Sequence, residues 1–438
     1  MARILVLADD MTGANDTGAA LHELGYEVLA VNDISQPVDG TEGYDCVSVN
    51  LDSRPLDAGT AYRQVQGAAE RFSGPDTILF SKRIDSTLRG NLGSECDALL
   101  DWRPGDPVCF VAPAFPKAGR IYHNDTLFVA GTELTATPAA ADPQCPIRTA
   151  SVKERFQEQT RRKVCVVPLA AVREGADELI CLLRARYLEG TRIILLEADR
   201  EADIQAAAFA AVHSGLPFVC ADPGPFTAAA AHEYVPVGAP PPHVPTGLSG
   251  GVILGVVGSI NEVSREQLKM LCSREETKLA VLDVQQVLTE CRDNAIIETV
   301  ERAVSQLSGA HTVLLVLSTV LEPPAERLDF EIAAERLGSS AEEVRRLVND
   351  SLAETAERCL QRTSAFGGLF SCGGDTSAAL LRRLGVHCMR ILGEVIPLAV
   401  CAQMAGGRLI VTKGGMAGRP DGMCLCVDYL RDRGLSNN

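Results

Sequence analysis

Short apolar runs recur along the chain, separated by longer stretches in which apolar residues return at helical spacing. RILVLA, YEVLAVN, CVSVNL, TILFSK and VCFVAPAF alternate with segments such as Thr60 to Phe72. Unbroken apolar runs predict strands covered on both faces, and the intervening helices supply the cover. The predicted fold class is therefore α/β, with mostly parallel sheets flanked by helices. KVCVVPL, RIILLEA and PFVCAD continue the series, whereas residues from about 119 to 148 lack helical period and predict a hairpin-like insertion.

Pro and Gly then crowd VPVGAPPPHVPTGLSGG, a stretch that sustains neither helix nor central strand. This shift predicts a linker over 236–250 between a first domain, 1–235, and a second, 251–438. The second block opens with VILGVVGS, continues through KLAVLDV and HTVLLVLS, and includes a long predicted helix from Ala341 to Gln361. At 438 residues the chain suits two domains, each with its own core. A ligand cleft is expected between them. No fixed-period repeat is visible.

Hydrophobic residues at 46% and charged residues at 22% describe a globular chain rather than a disordered one. Two aspartates cut short the first apolar run, so no secretion signal is read, and no run is long enough to predict a membrane span. The expected location is cytoplasmic. A net charge of -16 argues against nucleic acid and anionic membranes as partners. Fifteen cysteines with no C-x-x-C spacing predict free, mostly buried thiols and no structural metal.

In open parallel sheets ligands bind at the carboxyl ends of strands, so the polar residues that follow each apolar run are the candidates. Four such ends carry mixed charge: Asp9 and Asp10 in ADDMTG, Asp52 and Arg54 in NLDSRP, a dense group in SKRIDSTLRGN, and Lys117 and Arg120 in APAFPKAGR. Converging cations and carboxylates suit a small polyhydroxy acid. The cations would meet its carboxylate and the aspartates its hydroxyls. Taken singly, each favours a loop charge, with Asp16 or Ser86 capping a helix; the four ends together favour a site.

The second block offers glycine-rich turns instead. In FSCGGDTSAALLRRLG a strand runs into Gly373 and Gly374, and a helix is predicted to open near Asp375 or Thr376. Bare N–H groups at such a start suit phosphate. VTKGGMAGR adds Lys413, Gly414 and Gly415, and VVGSIN adds Gly258 and Ser259. Neither G-x-x-x-x-G-K-[ST] nor G-x-G-x-x-G is present, so these turns alone do not specify a nucleotide.

In order and spacing, LADDMTGANDTG, SKRIDSTLRGNLGSE, VAPAFPKAGR, GGDTSAALLRRLG, GEVIPLA and TKGG resemble the four-carbon acid sugar kinase family over nearly the whole chain. The resemblance implies ATP-dependent phosphorylation of acids such as threonate, erythronate or 2-oxo-tetronates. It implies an acid site in the first domain at Asp10, Arg54 and the run Lys82, Arg83, Ile84 and Asp85. It implies an ATP site in the second at Ser259, Gly373 to Thr376, and Gly414 or Gly415. With their neighbours, the candidate acid-site residues also include Asp9, Ser86, Arg89 and Arg120, and the candidate nucleotide residues also include Gly258 and Lys413.

Asp10 or Asp85 is the expected base, unranked, with Arg54 and Lys82 expected on the substrate carboxylate. Mg2+ is expected with ATP, and Asp375 suits either that ion or a helix cap. Positions 121–129, 222–226 and 416–417 depart from the commoner family pattern. The sequence leaves monomer and homodimer open. Two other readings stand beside the kinase: a sugar-acid binding or sensor protein, and a hydroxy-acid dehydrogenase. The second requires a glycine fingerprint where the chain has two aspartates.

Overall fold

The computed structural model describes residues 2–38, 40–142, 145–234, 237, 251–323 and 326–435. Two compact units divide the chain, Met1–Pro241 and Pro242–Asn438. Apart from Val237, the linker expected at 236–250 lies outside the described residues.

In the first unit, β1 (Ile4–Ala8), α1 (Met11–Glu23), β2 (Val28–Val31), β3 (Cys46–Asn50), α2 (Ala58–Phe72), β4 (Leu79–Arg83), α3 (Leu92–Trp102) and β5 (Val108–Val111) follow the predicted alternation. The expected insertion is a separate antiparallel sheet of β6 (Arg120–His123), β7 (Thr126–Val129) and β8 (Thr132–Glu133). The unit closes with α4 (Val152–Gln157), β9 (Val164–Val167), α5 (Leu169–Val172), α6 (Ala176–Leu188), β10 (Ile193–Leu196), α7 (Glu201–His213), β11 (Phe218–Asp222) and α8 (Pro225–Tyr234).

Its main sheet is parallel and runs β2-β3-β1-β4-β11-β5-β10-β9. β1 lies inside it, and ILVLA is buried throughout, as a strand covered on both faces requires. α2 is amphipathic: Ala61, Val65, Ala68, Ala69 and Phe72 face inward at helical spacing, and the Asp57 side chain caps its start. α1 instead buries small residues, Gly13, Ala14, Gly18 and Ala19 among them, which bring its axis close to the sheet.

The second unit comprises β12 (Val252–Val257), α9 (Glu262–Cys272), β13 (Thr277–Leu282), α10 (Val284–Val287), α11 (Arg292–Ser305), β14 (Thr312–Leu317), α12 (Ser318–Leu321), α13 (Phe330–Leu337), α14 (Ala341–Arg362), β15 (Phe366–Cys372), α15 (Gly374–Arg383), β16 (Cys388–Ile396), β17 (Ala399–Gln403), β18 (Leu409–Lys413) and α16 (Gly422–Leu435). The order is β13-β14-β12-β15-β18-β17-β16, parallel except for β17, which runs antiparallel to both neighbours. α14 matches the long predicted helix and starts with a reciprocal cap between Ser340 and Glu343. α15 opens at Gly374, one residue earlier than Asp375, because Gly373 makes the turn at φ +115.

Both units wind alike at their centre. β2-β3-β1-β4 and β13-β14-β12-β15 have the same order, with the first strand of each unit inside and the direction of travel reversing beside it. Such reversals open a crevice at the strands' carboxyl ends. All fifteen cysteines are free thiols. No helix among the described residues is long and apolar enough to cross a membrane.

Candidate active site

At the first reversal, β1 pairs with β3 and β4 so that Ala8 lies beside Asn50 and Arg83. The residues that follow Ala8 therefore emerge between the β3 and β4 ends. Asp10 takes extended backbone angles and caps α1, accepting from the Gly13 N–H at 2.8 Å. Arg54 reaches across all three aspartates: Nε donates to Asp9 at 2.7 Å, and its other nitrogens stand 2.9 Å from Asp10 and 3.4 Å from Asp85. Arg83 bridges Asp9 and Asp10 from the other side, at 3.2 and 3.1 Å. Arg89 grips Asp85 with two nitrogens, at 2.8 and 3.0 Å, and meets Asp142 at 2.8 Å.

Two glycines make this network feasible. A Cβ at Gly13 would collide with the Arg83 guanidinium, and one at Gly90 would stand 3.4 Å from Arg54 Cγ and 3.6 Å from an Asp9 oxygen. Gly90 also has φ +88.

Burial opposes the charge on Asp9, but Arg54, Arg83 and Lys82 outweigh it and hold its carboxyl below the usual range. Asp85 is likewise buried. Arg54, Arg89 and Arg83 hold it well below that range, and the Thr87 hydroxyl donates to it at 2.5 Å. Asp10 differs in access, with 27% of its side chain exposed against 2% for Asp9 and 6% for Asp85.

Lys82 pairs with none of these aspartates, although its charge reaches Asp9. It is fully buried, with Nζ 3.0 Å from Glu95 and donating to the Arg83 carbonyl at 2.8 Å. Glu95 also accepts from the Ser53 hydroxyl, and burial raises its pKa against the pull of Lys82. Consecutive strand residues point to opposite faces, so Arg83 meets α1 while Lys82 turns toward α3. Ile84 is buried and ties its N–H to the Asp222 carbonyl, and Ser86 is buried in the same turn. Asp52 and Lys117 are exposed.

Two departures from the family pattern in this unit have local structural accounts. Asn124 and Asp125 both adopt positive φ in the β6–β7 turn, where glycine is easier. Asp125 instead contributes its carboxylate, which accepts from Tyr122, Ser151 and the Lys153 N–H. Asp222 accepts from the backbone N–H groups of Gly224, Phe226 and Thr227 at the start of α8.

In the second unit β12, β15 and β18 are adjacent and parallel, which brings the three glycine-rich turns to one edge. A Cβ at Gly373 would lie 3.4 Å from the Ser259 nitrogen. One at Gly415 would collide with Ser259 Oγ, and one at Gly258 with Thr376 Oγ1. Ser264 links two of the turns, donating to the Gly415 carbonyl at 2.5 Å and lying 3.0 Å from Ser259 Oγ. Thr376 donates to Asn349 at 2.8 Å.

The α15 helix therefore opens onto a cradle with little side-chain cover, and its first turn carries the exposed Gly374 and Asp375. Lys413 is buried beneath it, donating to the Gly414 carbonyl at 2.9 Å and pairing with no carboxylate among the described residues. At the third departure, Met416 is exposed, whereas Ala417 is buried and its carbonyl accepts from Gln267.

Gly13, Gly90, Glu95, Asp142, Ser264 and Asn349 complete these two arrangements, and the sequence did not single them out as site residues. For Glu95 the available signal was an acid on the first turn of the helix that follows the charged run.

The chain matches a sugar-binding N-terminal domain over residues 4–230 and a nucleotide-binding C-terminal domain over 254–423. It is 36% identical to a D-erythronate kinase from Heliobacterium modesticaldum, over 98% of this chain and 97% of the relative. It is 27% identical to a D-threonate kinase from Salmonella typhimurium, with 98% and 99% covered. A 3-oxo-tetronate kinase from Methylobacterium radiotolerans is 26% identical, with 97% and 98% covered. This last relative is named for the 3-oxo acid, whereas the resemblance suggested the 2-oxo acid.

A crystal structure from Salmonella typhimurium shares the fold with a TM-score of 0.80 at 20% identity, covering 99% of this chain and 100% of that one. One from Haemophilus influenzae does so with a TM-score of 0.72 at 21% identity, covering 97% and 100%. The charged crevice beside β1, the glycine cradle beside β12 and the whole-chain likeness converge: this chain belongs to the four-carbon acid sugar kinase family.

Proposed function

We propose that the chain is an ATP-dependent kinase that phosphorylates a hydroxyl of a four-carbon sugar acid, with D-erythronate the first acid to test. The observation that carries this reading is the pairing of a charged crevice in one unit with a glycine-rich cradle at a helix start in the other, in a chain 36% identical end to end to a D-erythronate kinase.

The arginines and aspartates of the first unit bind and orient the acid. Among the aspartates, Asp10 is the candidate base: its carboxylate is the most exposed of the three and sits at the mouth of the crevice on the α1 cap. Asp85 is locked by Arg89, Arg54 and its own loop, so it serves as a fixed orienting charge. Phosphoryl transfer asks mainly for alignment and for donors on the phosphate oxygens. Ser259, Gly374 to Thr376 and Gly415 would offer those donors, with Lys413 adding positive charge from below, whereas the N–H groups of Gly373 and Gly414 already donate to the Lys413 and Leu398 carbonyls at 3.0 Å.

Mg2+ typically keeps several waters and takes one or two carboxylates plus substrate phosphates. The exposed Asp375 on the first turn of α15 fits that habit, and no cluster of three or more ligating acids, histidines or cysteines occurs among the described residues. Asp375 would hold the ion, which would neutralise charge on the triphosphate.

The test is ADP release with D-erythronate, D-threonate and 3-oxo-tetronate. Turnover of at least one acid is expected, and Asp10→Asn should lower it by about 100-fold or more. Silence with all three, in protein shown to be folded, would end the kinase reading.

A further inference from the structure

We infer that Arg120 is the anchor for the substrate's carboxylate and so selects an acid over a neutral polyol. The inference rests on the acid site proposed above and assigns a task within it. Each of the other arginines in that site already meets carboxylates: Arg54 meets Asp9, Asp10 and Asp85, Arg83 meets Asp9 and Asp10, and Arg89 meets Asp85 and Asp142. Lys82 is sealed against Glu95 beneath them. Arg83 Nε and one terminal nitrogen of Arg54 lack a hydrogen-bond partner, as does Arg120 Nε, but each of these other cations is already charge-compensated by a carboxylate of the protein.

Arg120 is different. Among the described residues no carboxylate pairs with it. One guanidinium nitrogen donates to the Ala118 carbonyl, and its buried Nε has no hydrogen-bond partner. The root of the side chain is held firmly, because Arg120 and Phe115 exchange both backbone hydrogen bonds, at 3.0 and 2.8 Å, where β6 begins.

Burial lowers the Arg120 pKa, and the fields of Asp85 and Asp16, countered by that of Arg89, do not restore it. An incompletely compensated cation with donors to spare favours an incoming anion, and a carboxylate can take two guanidinium N–H groups at once. The substrate's hydroxyls then fall to the aspartates, of which Asp10 is the most exposed.

Calorimetric titration with D-erythronate and with its neutral amide tests the assignment independently of turnover. Arg120→Gln should weaken acid binding by about 10- to 100-fold and leave amide binding unchanged. Arg120→Lys should recover part of the loss. Equal loss for acid and amide would make Arg120 a structural clamp on the Ala118 turn, and an unchanged acid affinity would place the carboxylate elsewhere. Either result overturns the inference, as does a folded wild type that binds no acid. Acid binding without ADP release would instead defeat the kinase reading and leave this assignment standing.

Discussion

Gly13 lies directly against the guanidinium of Arg83: a Cβ at position 13 would occupy the space of the Arg83 Cζ and its neighbouring nitrogens. The helix start and the strand end are thus fitted to each other through a missing side chain. Gly13→Ala should push Arg83 off Asp9 and Asp10 and lower kcat/KM for the acid by about 10-fold or more, since a small displacement of a positioning group is costly. The intrinsic helix preference of alanine favours α1, so the melting midpoint should move less than the activity does. Steady-state kinetics beside thermal melts would reveal the split, and unaltered kinetics would refute it.

Lys82 and Glu95 form a buried pair, and removing one partner strands the other. Lys82→Met should destabilise the protein by about 3–5 kcal/mol. The double variant Lys82→Met with Glu95→Leu should recover most of that loss, because neither charge is then left alone. Denaturant melts of the two variants check this. A Lys82→Met protein of normal stability that has lost acid binding would show that the lysine touches substrate after all.

The cradle in the second unit makes a separable prediction. Gly415→Ala drives a methyl into Ser259 Oγ and should raise the KM for ATP by about 10-fold while leaving acid binding intact. Titrating each ligand separately reads the two effects apart. Equal loss of both would mean that the substitution had disturbed the fold.

Asp85 carries a pH signature. Its folded pKa is depressed below the ordinary aspartate value of about 3.9, so its contribution to stability is fully present above that value and is lost as pH falls toward the folded pKa. The difference in melting midpoint between wild type and Asp85→Asn should therefore hold constant from pH 7 down to about pH 4 and shrink below it. A gap that closed between pH 7 and pH 5 would contradict the arginine clamp.

Much of this was legible in the residues themselves. The alternation of apolar runs and helical stretches, the insertion that became β6 to β8, and α14 with its Ser340 cap all follow from local pattern. So does the gathering of Asp9, Asp10, Arg54, Arg83, Asp85 and Arg89, because each follows or ends a strand of one parallel sheet. Lys82 was different. In a run of charges it looks equivalent to Arg83, and only the alternation of side chains along β4, combined with a helix bearing Glu95 on one face, separates them. Asp10 and Asp85 could not be ranked either, since access depends on how Arg89 and the following loop close over Asp85.

The repeated winding beside β1 and β12 has its own consequence. On the proposed function, one folding plan would supply two sockets, and what each accepts would be set at the tips of its strands. An altered appetite for one acid or another would then turn on a few positions around Arg54, Asp85 and Arg120, with the proposed phosphate-donor half left as it stands.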